Sequence, residues 1–191
     1  MENITRGISV DISDWKIKHI YTKSAKLNTR LQTASISKFF TSILVAKLVQ
    51  LDILDYDTDI NTYLTSWVCP KKNVHLRKLL SHTSGADVGG FPGYSTDATL
   101  PTNVQILNGE KPAVTRIVIF KYRKFSYSGG GYQIIQQIIE DVMKKPFHVI
   151  LKKYVIEPLK LSNTTAKIIK PVIYKDMHVY PESAAAGVWS C

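Results

Sequence analysis

The sequence lacks the features that mark disulfide-rich, membrane-spanning and exported proteins. Only two of its 191 residues are cysteines, Cys69 and Cys191, too few for a disulfide framework or a cysteine metal site. Its apolar stretches are short and interrupted by lysine, so no membrane span is expected. No apolar signal stretch opens the chain, which predicts a cytoplasmic protein, or a periplasmic one if an upstream signal is missing. We expect no metal and no cofactor.

The chain is basic, with 25 Lys and Arg against 15 Asp and Glu and a formal net charge of +10. Such a charge suggests a nucleic acid or an anionic membrane as partner. The basic residues nevertheless stand singly or in pairs, without a run of five and without a nucleic-acid-binding motif. We therefore expect a generally basic surface and no nucleic-acid partner. Hydrophobic residues make up 45% of the chain, which predicts a globular protein.

Hydrophobic patterning divides the chain into two N-terminal strands and a longer helical part. Residues 7–10 and 17–22 read as short strands around a turn. A glycine- and proline-containing region at residues 83–111 predicts a long irregular surface loop. Apolar residues recur at the spacing of a helix in three long segments and two short ones. The long segments are 35–51, 131–145 and 147–156, and the short ones are 60–64 and 74–81.

Ser35 and Lys38 form the first candidate catalytic pair. They stand three residues apart at the start of a predicted helix, so both side chains leave one face, one turn apart. A serine hydroxyl needs a base within hydrogen-bonding reach, and a lysine amine serves where its surroundings lower its pKa. The start of a helix also favours negative charge that develops at Ser35. The spacing alone is a weak motif, because serine and lysine are common.

A glycine-rich segment at residues 125–132 supplies the second candidate. It reads Phe-Ser-Tyr-Ser-Gly-Gly-Gly-Tyr between a strand-like run and a helix. Three consecutive glycines let the backbone turn sharply and approach a ligand, and Tyr127 could then share a proton with Ser35 and Lys38. The alternative is a glycine-rich helix entry with a tyrosine packed beside it. Taken alone, the segment favours that alternative, because glycine-rich turns are common.

Together these segments resemble the family of class C β-lactamases, penicillin-binding proteins and related esterases. Residues 51–57 resemble that family's L-x-x-G-K-L-x-L-D-D stretch, and residues 79–85 are close to its LLSHTSG motif. Residues 90–94 and 181–190 resemble one bacterial serine-hydrolase branch of the family. The matching segments follow one another in the family's order over residues 7–190, which makes coincidence an inadequate explanation.

The resemblance implies an α+β fold of the β-lactamase/transpeptidase type. In this fold an antiparallel sheet is flanked by helices and joined to a helical lobe. We expect a single domain over residues 1–191. Its parts would be N-terminal sheet strands at 1–34, a mainly helical lobe at 35–165 and a loop segment lining the site at 166–191.

The resemblance also implies an acyl-enzyme mechanism on an ester, an amide or a β-lactam, within a small molecule or a peptide. Ser35 would attack the carbonyl carbon, while Lys38 and Tyr127 would move its proton. The backbone amide of Ser35 would supply half of an oxyanion hole. His82, although it is a histidine in a matching motif, is expected to support the fold. The substrate would be lined by Ser128, Gly129 and Ala186.

Three departures from the family pattern narrow these expectations. Gly129 stands where the family usually has the asparagine of Tyr-x-Asn. Ala186 stands where class C β-lactamases place a tyrosine, which argues against a specialised β-lactamase. The chain also reaches Cys191 before any Lys-Thr-Gly or His-x-Gly motif, so further sheet strands and half of the oxyanion hole are expected to be missing. A catalytically impaired remnant, or a ligand-binding module that keeps the fold, is therefore the alternative to a serine hydrolase.

Overall fold

The N-terminal residues form the strand pair that the sequence predicts. The computed structural model describes residues 8–13, 16–22, 29–114, 124–169 and 178–191. Strands β1 (Ile8–Ser13) and β2 (Lys16–Thr22) pair antiparallel, with a bulge between Asp11 and Ile12. β1 continues three residues beyond its predicted end. The expected packing of this hairpin against the first helix depends on the hairpin's side chains, which the structure does not describe.

Helix α1 (Ser37–Gln50) is the helix that the periodicity after Ser35 predicts. It begins two residues later than expected, because Ala34–Ile36 form a 3₁₀ turn. Its buried face, which includes the fully buried Leu44 and Leu48, packs against residues 147–156. Burying a leucine completely stabilises a fold by about 1.5–3 kcal/mol. The residues just before α1 are therefore attached to a firmly packed helix.

Helix α4 (Gly129–Met143) lies at the centre of the described core. Four of its isoleucines are fully buried at the spacing of one helix face, namely Ile134, Ile135, Ile138 and Ile139. It packs against α2 (Leu76–Leu80) and α3 (Asn103–Asn108). The Ser128 hydroxyl caps its start by accepting a hydrogen bond from the Gly131 amide at 2.9 Å. The elements that complete the helical part are α5 (Phe147–Leu151), a π turn (Lys152–Ile156) and a 3₁₀ turn (Ile60–Thr62).

The prediction of one irregular surface loop over residues 83–111 is wrong, because α3 lies inside it. A capping box starts this helix. The Thr102 hydroxyl accepts from the Gln105 amide at 3.2 Å, and the Gln105 side chain accepts from the Thr102 amide at 2.9 Å. Ile106 and Leu107 are fully buried. Their burial against the core outweighs the helix-breaking effect of the nearby glycines and prolines.

A short second sheet joins the segment just before Ser35 to the C-terminal residues. Strand β3 (Leu31–Gln32) pairs antiparallel with β4 (Trp189–Ser190), with Leu31 opposite Ser190 and Gln32 opposite Trp189. Strands of two residues are too short to show an alternating pattern, so periodicity does not reveal them. The pairing places residues 181–190 beside the turn that carries Ser35.

None of the described helices is long and apolar enough to cross a bilayer. Nor do three or more metal-ligating side chains come together within those ranges. Cys69 is a buried thiol and Cys191 an exposed one.

Candidate active site

Ser35 lies in the tight turn that precedes α1. Ala34 before it adopts a left-handed backbone conformation with φ of 45°, which an alanine rarely takes because its Cβ crowds the following carbonyl. Strained residues of this kind cluster at active sites. The turn leaves Ser35 exposed and is anchored by Ser37, whose hydroxyl accepts from the Val188 amide at 3.0 Å. Thr33 reinforces the anchor by donating its hydroxyl to the Val188 carbonyl at 2.9 Å.

The amine of Lys38 lies beside the Ser35 hydroxyl. Its Nζ donates to Ser35 Oγ at 3.4 Å and to the backbone carbonyl of Ala185 at 2.9 Å. Lys38 is only 8% exposed, and its Nζ lies 5.0 Å from the ring centroid of Tyr127 and 5.7 Å from that of Tyr132. These distances are within the range of cation–π attraction. The spacing predicted the contact with Ser35 but not the carbonyl that orients the amine.

The phenol of Tyr127 reaches the same place from the segment that precedes α4. Its ring is 44% exposed, so it stands between the protein and solvent. Burial raises the pKa of Tyr127, but hydrogen bonds with Lys38 and Ser35, together with the charge of Lys38, bring the pKa below its ordinary value. The structure thus brings together the three side chains that the sequence analysis names as catalytic. Their catalytic roles remain predictions.

His82 contacts the Tyr127 segment through both its ring and its backbone. Its Nδ1 accepts from the Ser128 amide at 3.0 Å, and its carbonyl accepts from the Ser126 amide at 2.8 Å. The ring centroid lies 4.6 Å from that of Tyr127 and 5.4 Å from that of Tyr132. Burial, and then the positive charge of Lys38, lower the pKa of His82, which favours the neutral ring. The sequence contains no sign that Tyr132 belongs to this cluster, because a tyrosine at that position is an ordinary residue of the helix.

The three residues expected to line the substrate are placed differently from one another. Ser128 is buried, and its hydroxyl and amide are both committed inside the fold, to the cap of α4 and to His82. Gly129 is also buried, and a Cβ there would lie 2.8 Å from Cε2 of Phe91, so that ring takes the volume a side chain would need. Ala186 is half-buried and follows the carbonyl that binds Lys38. Ala186 is therefore the least buried of the three.

Glu182 is a buried carboxyl that the sequence analysis did not single out. It is fully buried, and neither carboxyl oxygen has a hydrogen-bond partner among the described residues. Its backbone carbonyl accepts from the amides of Ala185 and Ala186 at 3.1 and 2.8 Å, forming the turn that presents the Ala185 carbonyl to Lys38. Burial raises the pKa of Glu182 to about 7. No residue pattern distinguishes this glutamate from an exposed one in a turn.

Comparison with known protein sequences identifies a family and several relatives. A family model described as Beta-lactamase matches residues 17–191. Protein flp of Staphylococcus aureus strain MW2 is 24% identical over 185 residues, covering 92% of this chain and 34% of the relative. Teichoic acid D-alanine hydrolase of Staphylococcus aureus is 26% identical over 139 residues, covering 72% and 32%. The chain therefore spans about a third of the length of the curated relatives it matches.

Solved structures share the fold at low sequence identity. FmtA from Staphylococcus aureus has a TM-score of 0.72 at 20% identity, covering 98% of this chain and 57% of that one. The D-amino acid amidase from Ochrobactrum anthropi SV3, complexed with L-phenylalanine amide, has a TM-score of 0.74 at 17% identity, covering 96% and 62%. The predicted β-lactamase/transpeptidase-like fold is thereby confirmed.

Proposed function

Because the chain belongs to the Beta-lactamase family, we propose that it is a serine hydrolase that forms an acyl-enzyme on Ser35. The observation that carries the proposal is the meeting of three groups at one point. The Ser35 hydroxyl lies 3.4 Å from the Lys38 amine, and both interact with the Tyr127 phenol. A nucleophile with a base in reach, and a second group that orients the base, is the arrangement that covalent catalysis requires.

The environment of Tyr127 supports a role in moving the Ser35 proton. A phenol whose pKa lies below its ordinary value gives up its proton more readily, and the phenolate can then accept one from a neighbouring hydroxyl. The Lys38 amine stabilises that phenolate, while the Ala185 carbonyl fixes the direction of the amine. We assign Tyr127 and Lys38 together as the proton-transfer pair, because both contact the Ser35 hydroxyl and they hydrogen-bond with each other.

The reaction then follows from these roles in two steps. Ser35 Oγ bonds to the carbonyl carbon of the substrate, its proton passes to the Tyr127–Lys38 pair, and the leaving group departs with that proton. Water next attacks the acyl carbon and gives a proton to the same pair. The bond between that carbon and Ser35 Oγ then breaks, the pair returns the proton to Oγ, and the acid is released. We assign the backbone amide of Ser35, within the turn before α1, as one donor to the oxyanion that forms in each step.

The substrate class that we propose is an ester or amide of a small acyl group. The names of two similar proteins, teichoic acid D-alanine hydrolase and D-amino acid amidase, suggest D-alanyl esters and D-amino acid amides as the first compounds to try. Gly129 and Ala186 lack the polar side chains that class C β-lactamases have there, so ester hydrolysis should exceed β-lactam hydrolysis.

A labelling and turnover experiment tests the proposal. The wild type should react with a fluorescent serine-directed phosphonate at Ser35, as located by peptide mass spectrometry, and should hydrolyse a D-alanine nitrophenyl ester faster than nitrocefin. Ser35→Ala should abolish both reactions, whereas Ser162→Ala, at an exposed serine, should leave them unchanged. Tyr127→Phe should slow them by about 10²–10⁴-fold, the usual contribution of a general base.

Two results would contradict parts of this proposal. Equal ester turnover in the wild type and Ser35→Ala would favour the ligand-binding module over the enzyme. Efficient nitrocefin hydrolysis that depends on Ser35 would overturn the preference for esters while leaving the serine hydrolase intact.

A further inference from the structure

His82 holds the residues on both sides of Tyr127. Its Nδ1 accepts the amide of Ser128 at 3.0 Å, and its carbonyl accepts the amide of Ser126 at 2.8 Å. One residue can supply both acceptors because His82 has a left-handed backbone conformation, with φ of 58°, just after α2. Residues other than glycine are uncommon in this conformation, although histidine and asparagine adopt it more often than most.

The His82 ring completes the contact by lying against the Tyr127 ring. The two centroids are 4.6 Å apart with an angle of 35° between the ring planes, a tilted stacking arrangement. The centroid of the Tyr132 ring lies 5.4 Å from that of the same imidazole, and its phenol hydrogen-bonds with the Ser42 hydroxyl of α1 at 3.1 Å. His82 thereby connects the Tyr127 segment to the helix that carries Lys38.

We propose that His82 is a positioning residue, which fixes the Tyr127 phenol against Ser35 and Lys38 through two backbone hydrogen bonds and ring stacking. The inference rests on the proposed function, in which Tyr127 moves the Ser35 proton. His82 acts through Tyr127 and is not itself assigned a step in the reaction.

The hydrogen bond to Ser128 also defines the form of the ring that this role needs. An amide donor at Nδ1 requires that nitrogen to be unprotonated, so the proton of the neutral imidazole lies on Nε2. Among the described residues, the titratable groups that face the ring are Lys38, Tyr127 and Tyr132. The nearby positive charge of Lys38 opposes a second proton on the ring, which keeps the Nδ1 acceptor available.

Three substitutions separate the parts of this role. His82→Asn keeps a side-chain acceptor and tolerates the left-handed backbone, but loses the ring. His82→Phe keeps a ring and loses the acceptor, and His82→Ala loses both. His148→Ala, at a half-buried histidine on α5, is the matched control.

The first measurement is the pKa of the Tyr127 phenol, obtained from the absorbance of phenolate as the pH is raised. The absorbance of the matching Tyr127→Phe variant is subtracted from that of each protein, so that only Tyr127 contributes. The wild-type pKa should lie below the ordinary value of about 10. In His82→Ala it should rise towards that value, because a displaced phenol loses its contacts with Lys38 and Ser35. His82→Asn and His82→Phe should fall between, and His148→Ala should match the wild type.

The second measurement is phosphonate labelling and ester turnover across pH. His82→Ala should label about 10²-fold more slowly, the loss expected when a catalytic group is displaced by about 1 Å. The loss should appear in kcat with little change in KM, and the midpoint of the pH–rate profile should move with the Tyr127 pKa. A purely structural role would lower the fraction of folded protein without moving that midpoint.

A folded His82→Ala protein with unchanged Tyr127 titration and unchanged labelling overturns the inference. If His82→Ala does not fold, the two other variants decide. The inference is then overturned if both His82→Asn and His82→Phe show the same Tyr127 pKa and the same labelling rate as the wild type. A wild type that the phosphonate does not label would contradict the proposed function. The Tyr127 titration would still decide whether His82 positions the phenol, because it requires no catalysis.

Discussion

Replacing Glu182 with glutamine should remove a large part of the stability that the protein loses as the pH rises from 4.5 to about 7. Glu182 is fully buried, and its carboxyl oxygens have no hydrogen-bond partner among the described residues. An ionised carboxylate in such a place is strongly unfavourable, and burial accordingly raises the pKa of Glu182 from its ordinary 4.5 to about 7. The folded protein therefore holds this proton over a range of pH in which the unfolded chain has released it.

The sign and size of the effect follow from proton linkage. Below pH 4.5 both states are protonated at this position, and Glu182 does not make stability depend on pH. Between 4.5 and about 7 the unfolded state has lost the proton, so each rise of one pH unit lowers the free energy of unfolding by about 1.4 kcal/mol. Above about pH 7 the loss is complete and amounts to about 3 kcal/mol.

Urea unfolding at pH 5 and pH 8 measures this difference directly. Between pH 5 and pH 8 the free energy of unfolding should fall by about 2.5 kcal/mol less in Glu182→Gln than in the wild type. For a chain of this size that difference is equivalent to about 5–10 °C in Tm. Glu110→Gln, at an exposed glutamate, should follow the wild-type dependence. Parallel pH profiles for the wild type and Glu182→Gln would refute the reasoning, because they would show that Glu182 titrates alike in both states.

The same carboxyl has a consequence for the candidate active site. The backbone carbonyl of Glu182 accepts the amides of Ala185 and Ala186, and Ala185 in turn accepts the Lys38 amine. Ionisation of Glu182 would place a buried, unpartnered negative charge in the turn whose Ala185 carbonyl orients the Lys38 amine. The Glu182→Gln protein therefore allows the pH dependence of stability and that of catalysis to be compared in one variant.

Local patterns predicted the elements that carry the site, because those elements depend on nearby residues. The helix after Ser35 and the helix after Gly129 both show apolar residues at helical spacing, and both formed within two residues of their predicted starts. The proximity of Ser35 and Lys38 also follows from spacing alone, since it spans one helical turn. The position of Tyr127 did not follow from spacing, and came instead from the order of the family's motifs.

The contacts that complete the site were missed because they join distant residues through backbone atoms. The bond from Lys38 to the Ala185 carbonyl and the bond from the Ser128 amide to His82 connect segments far apart in the chain. A backbone carbonyl or amide is present at nearly every position, so the residue type at Ala185 contains no sign of its role. The burial of Glu182 also could not be predicted from the sequence, because it depends on how distant parts of the chain pack together.

Two further substitutions test the packing around α4, both by urea unfolding. Asp141→Ala should lower the free energy of unfolding by about 2–4 kcal/mol. The reason is that the Asp141 carboxylate accepts hydrogen bonds from the amides of Thr65 and Ser66 at 2.8 and 2.9 Å and from the Ser66 hydroxyl at 2.6 Å. A loss below about 1 kcal/mol would mean that water replaces these bonds. Gly129→Asn should also destabilise the protein, since its Cβ would lie 2.8 Å from Cε2 of Phe91. Phe91→Ala removes the obstructing ring. The double variant Gly129→Asn/Phe91→Ala should therefore lose less free energy of unfolding than the two single variants lose in sum. Strictly additive losses would show that the Phe91 ring is not what keeps a side chain from position 129.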